Sequence, residues 1–188
     1  TLLASLDFWL PTITFALSFS IFGIFFIGGP YIAVKVFNLS PTTMGIYLAF
    51  PSLGYVLGNI LISKIANRVS TKTLMIIGSF VLLLGPLSSL ILSHLFFHPL
   101  SFFLPILIMT FGSGIIWPAS NAEIVKAVPH LAGSASGLGS AIMTLMSSFA
   151  AFLTGFYIEN LNPIDFVCYF LILVGVLSFL SSLLTKSK

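Results

Sequence analysis

Four acids, three histidines and one cysteine are all that 188 residues offer for acid–base, metal or thiol chemistry. Glu159 and Asp165 fall in one short polar connector and read as solvated charges. His94 and His98 stand four apart, a spacing that would place two metal ligands on one helix face, but no third ligand is evident. Ser136 is the only serine in a glycine-rich context that suggests a nucleophile. His130, six residues earlier, is poorly placed to act as its base. Cys168 lies alone inside an apolar run, where one thiol makes neither an intrachain disulfide nor a cysteine metal cluster. It reads as a small core residue. These residues point to no enzyme and call for no cofactor or metal.

Charge is scarce and unevenly placed. Only 6% of the residues are charged, against about 25% in soluble domains. With 58% hydrophobic residues and mean hydropathy +1.17, the surface must face lipid. A pI near 9.2 raises the possibility of nucleic acid, but the basic residues are scattered over short loops and form no patch with aromatic partners. Nucleic acid is therefore excluded as a partner and the lipid bilayer expected as one.

The elements that position these residues are six long apolar segments. They are expected at Phe8–Phe37, Thr42–Ile65, Thr73–Leu95, Pro99–Val125, Leu131–Ile158 and Ile164–Leu184. Each is long enough for a helix that crosses the bilayer core, which takes about 20 residues. The runs are continuous rather than alternating, which favours helices over a barrel. Connectors carry turn chemistry: Asn38-Leu39-Ser40-Pro41, His98-Pro99, Pro129-His130 and Asn160-Leu161-Asn162-Pro163. Six of the seven basic residues (Lys64, Arg68, Lys72, Lys126, Lys186 and Lys188) fall at even crossings, and Lys35 alone falls on the other face. Short loops rich in Lys and Arg stay in the cytoplasm, so both termini are expected inside. Thr1 in place of an initiator methionine suggests a fragment or processed product.

Inside the spans, Pro30, Pro51, Pro86, Pro105 and Pro118 predict interruptions or kinks. Gly54 and Gly58 lie on one face of the second helix, and Gly133 and Gly137 open the fifth. Both pairs are expected to let helices pack closely. Glu123, near the inner end of the fourth helix, has Lys126 three positions on. An acid at that depth needs a partner. A local pair with Lys126 is one solution, and a basic residue of the loop between the second and third helices is the other.

That loop reads Ser63-Lys64-Ile65-Ala66-Asn67-Arg68-Val69-Ser70-Thr71-Lys72. It resembles the loop signature of the major facilitator superfamily: a glycine, an acid or amide followed by Arg, then a glycine and two basic residues. Asn67, Arg68 and Lys72 match. Ser63 and Ser70 replace the usual glycines, and Thr71 replaces a usual Arg or Lys. This degraded form is similar to the copy in the carboxyl half of the family. Gly29 to Gly58, with Pro30-Tyr31-Ile32, Phe37-Asn38-Leu39-Ser40-Pro41 and Gly45, resembles helices seven and eight of the Bcr/CflA drug–proton antiporters. Pro129-His130-Leu131-Ala132-Gly133-Ser134-Ala135-Ser136-Gly137 resembles the start of their helix eleven, and Asn121-Ala122 fits helix ten.

The resemblance implies an all-α membrane protein. Its six transmembrane helices would form half of a major facilitator superfamily fold, built from two three-helix repeats. Residues 1–188 would be one domain, equivalent to helices seven to twelve. The implied function is proton-coupled multidrug (bicyclomycin-like) efflux by alternating access in the bacterial inner membrane. Its partners would be a missing N-terminal six-helix half, a lipophilic small-molecule substrate and protons. The family's proton-coupling acids usually lie in that other half. By the same analogy Asn67, Arg68, Lys72 and Glu123 would form a cytoplasmic gate, with Glu123 latched to Arg68 or Lys72. Tyr31, Tyr47, Ser113, Trp117, Asn121 and Met143 would line a substrate lumen. Two other readings stand beside this one: a metabolite or sugar facilitator of the same superfamily, and a truncated remnant or membrane scaffold that moves nothing.

Overall fold

A computed structural model describes residues 6–185. Lys186 and Lys188, two of the cations used above to orient the chain, lie outside the described residues. Six long helices follow one another: α1 (Leu6–Tyr31), α2 (Pro41–Ile65), α3 (Thr71–Leu95), α4 (Pro99–Ala127), α5 (Ala132–Tyr157) and α6 (Pro163–Leu184). All six are long and apolar enough to cross a membrane, and no strand occurs among the described residues. Except at the end of α1, which gives way to another winding six residues before the expected Phe37, the boundaries lie within about two residues of the expected ones, because the connectors carry real stop and start chemistry. Ser40, Ser70, His98 and Asn162 each accept a backbone N–H of the first turn that follows. Pro41, Pro99 and Pro163 begin α2, α4 and α6, where a missing N–H costs nothing.

The backbone stays helical through Pro51, Pro86, Pro105 and Pro118, so the interruptions expected there are not breaks. Lipid offers no water to satisfy freed backbone groups, and losing one hydrogen bond is less costly than opening a turn. Winding changes only after Pro30. Ile32–Val36 form a π-helical turn, in which Phe37 N–H donates to Ile32 O at 3.1 Å. Asn38 follows with φ 51°, a left-handed conformation that lets the chain reverse into α2.

The helices cross between two three-helix units. α1 packs mainly on α5 and α6, and α4 mainly on α2 and α3, while α3 meets α6 and α1 meets α4. Small residues make this possible. A Cβ added at Gly58 would overlap the Phe111 carbonyl and stand 3.0 Å from Gly114 Cα. At Gly54 it would overlap the Leu107 carbonyl, and at Gly23 in α1 the Ser147 carbonyl of α5. Hydroxyls join the outer seams: Thr14 Oγ1 donates to Ser181 Oγ at 2.9 Å, Ser79 and Ser182 share a bond of 3.0 Å, and Ser89 Oγ donates to Phe102 O at 2.9 Å. Without water between helices, such contacts and close dispersion packing hold the bundle together.

Gly133 and Gly137 differ from Gly54 and Gly58. A Cβ at either meets nothing within 4 Å, so neither packs a helix inside this unit. α5 turns Gly139 and Ala135 inward instead, Gly139 against Ile124 of α4. Only 22% of the most apolar window of α2 and of α5 is buried, against 44% to 61% for the other four helices. The bundle is thus closed on the α3–α6 side and open along α2 and α5.

Candidate functional site

The residues on that open side form a concave surface between α1, α2, α4 and α5. A cavity of about 350 Å³ is lined by Phe15 and Phe19 (α1), Tyr55 (α2), Trp117, Pro118 and Asn121 (α4), and Ser136, Ser140 and Met143 (α5). At 1.5 Å of rise per residue, Trp117 lies about 15 Å and Asn121 about 9 Å from the C-terminal end of α4. The cavity therefore sits in the half of the bundle that carries the α2–α3 and α4–α5 connectors.

Its two walls differ in chemistry. Around Trp117, the rings of Phe19, Phe22 and Tyr55 lie at centroid distances of 4.6, 4.9 and 5.1 Å, tilted against the indole. Such tilted pairs are favourable beyond their burial and make a firm aromatic wall. Across from it, Ser136 Oγ donates to Asn121 Oδ1 at 3.3 Å, a bond that leaves the Asn121 amide hydrogens free to donate elsewhere. The Trp117 Nε1 donor is buried and has no protein partner. No Lys, Arg, Asp or Glu lines the cavity. It can hold a flat apolar solute against the rings and read one polar edge with the amide and the hydroxyls.

Of the six residues expected to line a lumen, Trp117, Asn121 and Met143 meet here. Ser113 does not. It is fully buried, and its Oγ donates to Met109 O one turn back in α4, which uses its hydroxyl inside the helix. Tyr31 and Tyr47 lie toward the opposite end of the bundle and pack against the apolar core, Tyr47 with its ring 5.3 Å from that of Phe103. Phe15, Phe19, Tyr55 and Ser140 line the cavity without having been expected. Aromatics are too abundant in this chain, with 20 Phe, for composition to separate lining from packing. Ser136 reaches the site as Asn121's partner, not as a nucleophile.

A second polar cluster joins the start of α3 to the end of α4. Thr71, in the first turn of α3, donates its hydroxyl to Glu123 Oε1. Lys126 Nζ donates to Thr71 Oγ1 at 2.9 Å and to Glu123 Oε1 at 3.3 Å. The Glu123 side chain is 13% exposed, so these partners supply the hydrogen bonds that water would otherwise give. The expected partners differ: among the described residues Glu123 forms no ion pair with Arg68 or Lys72. Arg68 is exposed, Lys72 half-buried, and the hydroxyl of Thr71 beside Lys72 takes the carboxylate while Lys126 completes it one turn along α4. Asn67 sits exposed in the tight turn between α2 and α3. A cavity of about 340 Å³ lies beside this cluster, with Asn59 and Ser63 of α2 and Thr71 on its walls.

At the other end, His94 and His98 do different things. His98 Nδ1 caps α4 by accepting Leu100 N–H at 3.2 Å, and His94 Nε2 pairs with Asp165 Oδ1 at 2.9 Å. Asp165 is thus tied to α3 rather than free in solvent. Among the described residues no group of three potential ligands could hold a metal ion. Cys168 is buried, with Sγ 3.8 Å from Ser89 Oγ.

A family model described as Major Facilitator Superfamily matches residues 1–151. Curated proteins give no match to the chain.

Proposed function

Because the chain belongs to the major facilitator superfamily, whose members are membrane transporters, we propose that it forms the substrate-binding wall of a drug exporter of Bcr/CflA type. The observation that carries this reading is the uncharged cavity split between an aromatic wall at Trp117 and an amide–hydroxyl wall at Asn121 and Ser136. An apolar cleft with a few convergent polar groups suits lipophilic, weakly polar solutes. α2 and α5 leave one side of this cleft open, which fits a second six-helix unit completing it in the bilayer. Alternating access then rocks the two units about the cavity. Proton coupling falls to that second unit, since no carboxylate lines the cavity here. Asn67, Arg68, Lys72 and Glu123 stand at the inner surface as the gate, with Thr71 and Lys126 holding Glu123 in place. The setting is the bacterial inner membrane with both termini cytoplasmic.

Proteoliposomes holding this chain together with a six-helix unit that carries an intramembrane acid test the proposal. Uptake of a lipophilic aromatic dye against an imposed pH gradient is expected, and Trp117→Ala should weaken apparent dye affinity about tenfold, the equivalent of about 1.4 kcal/mol of lost ring contact. Dye movement that ignores both the gradient and Trp117→Ala rules out the exporter. The amide–hydroxyl wall also favours a hydroxylated metabolite, and gradient-independent sugar uptake sensitive to Asn121→Ala would select that facilitator reading. No movement of any solute would leave the scaffold reading.

A further inference from the structure

The end of the bundle that carries the α1–α2, α3–α4 and α5–α6 connectors holds two adjoining cavities that the transport reading does not use. The first, about 290 Å³, is lined by Ser93 and His94 of α3, Asn162 and Asp165 at the start of α6, and the apolar Val36 and Phe97. The second, about 450 Å³, is a groove along the outside of α6 formed by Asn162, Asp165, Phe166, Tyr169, Phe170 and Leu173. Asn162 and Asp165 belong to both. The groove begins at Leu161 and ends at Leu173, a run of about 18 Å along the helix. One leaflet of the bilayer contributes about 15 Å of hydrocarbon. A polar pocket at the membrane surface thus opens into an apolar groove as deep as one leaflet.

The polar pocket is short of donors. The Ser93 Oγ is buried and has no partner. His94 Nε2 takes Asp165 Oδ1 at 2.9 Å, and none of the described contacts satisfies the second carboxylate oxygen. Asn162 Oδ1 is already occupied by the N–H of Ile164. A ligand that fits must bring a cation with hydrogens to give, and a long apolar tail. Lys35, the only Lys or Arg of the three connectors at this end, stands on the π-helical turn next to Val36 and offers a counter-charge for an anion attached to that cation.

We propose that this is a lipid site that recognises a phospholipid with a primary ammonium headgroup, of phosphatidylethanolamine type. The ammonium donates to Asp165 and Ser93, and one acyl chain lies along Phe166, Phe170 and Leu173. A trimethylammonium headgroup has the same charge and no N–H to donate, so it leaves Ser93 and the carboxylate unsatisfied. An anionic headgroup meets the Asp165 charge. The site rests on α3 and α6, which pack together on the closed side of the bundle, and holds whether or not the α1–α5 cavity carries substrate.

Native mass spectrometry of the purified full chain tests this, with equimolar dioleoyl phosphatidylethanolamine, phosphatidylcholine and phosphatidylglycerol added to the detergent. The ethanolamine lipid should be retained about tenfold more than the choline lipid, as one charge-assisted hydrogen bond allows. Asp165→Asn and Ser93→Ala should bring the two to equal retention, and Leu173→Trp, which fills the foot of the groove, should lower retention of the ethanolamine lipid with the polar pocket intact. If Asp165→Asn fails to fold, Ser93→Ala alone decides, since it keeps the His94–Asp165 pair. Equal retention of ethanolamine and choline lipids by the parent chain overturns the proposal. So does undiminished selectivity in Ser93→Ala, and so does displacement of the lipid by equimolar O-phosphorylethanolamine, which would mark a site for a soluble amine.

Discussion

Gly58→Ala adds one methyl group to the crossing of α2 and α4, and its cost follows from distances. The new Cβ overlaps the Phe111 carbonyl oxygen and stands 3.0 Å from Gly114 Cα. Carbon pairs are best separated by about 3.5–4.0 Å, so the shortfall at Gly114 is about 0.5–1 Å, and the overlap with the Phe111 oxygen demands at least as much. Both obstacles are backbone of α4, and no rotamer change can absorb them. The helices must part by that distance along their seam, and a gap of this size forfeits about a quarter to a half of each contact's dispersion energy. α2 has little else to hold, because it scarcely touches α1. A loss of about 1–3 kcal/mol is expected, the usual cost of overpacking. Gly133→Ala and Gly137→Ala add the same methyl where nothing lies within 4 Å, and should change stability by no more than about 0.5 kcal/mol. Cys168 supplies the assay. It is the only thiol and is fully buried in α6, remote from the substituted seam, so a maleimide dye that fluoresces on reaction reports unfolding on heating. At roughly 2–4 °C per kcal/mol for a chain of this size, Gly58→Ala should lower the midpoint by several degrees while the α5 variants stay at the parent value. An unchanged Gly58→Ala, or a Gly133→Ala as harmful as it, would refute the account of tight and open faces.

The inner cluster and the topology give two more expectations. Glu123→Gln keeps the shape but removes the charge that Lys126 and Thr71 address. Because Lys126 is 60% exposed, stability should fall by no more than about 0.5 kcal/mol. The larger effect belongs to the gate: with the second six-helix unit present, the inward-open population should rise, read as faster labelling of a cysteine at position 121, and an unchanged rate would remove Glu123 from the gate. For topology, cysteines at positions 68 and 130 should react with an impermeant maleimide only from the cytoplasmic side and one at position 98 only from the other. Labelling of 68 and 98 from one side would refute the six-crossing path.

Much of this architecture is dictated locally. Six apolar runs long enough to span lipid, with Ser40-Pro41, His98-Pro99 and Asn162-Pro163 between them, fix where helices start, because caps and proline geometry act within a turn and need no tertiary partner. Gly54 and Gly58 were legible as a packing face for the same reason, four residues being one turn. The identical spacing of Gly133 and Gly137 marks a face too, but not what lies opposite it. Only the way α5 is rotated against α4 turns that pair toward open space. Ser113 shares a face of α4 with Trp117 and Asn121, which line the cavity, and is buried because the neighbouring helices close over α4 one turn away, a difference of level that spacing does not reveal. The sequence predicted that Glu123 must be partnered, since burial of an acid in lipid demands it. Which hydroxyl or cation answers is a matter of a few ångströms between α3 and α4, and the fold brought Thr71 rather than Arg68. His94 and Asp165 are 71 positions apart in a chain that gives no local sign of their pairing, and they meet because α3 ends where α6 begins.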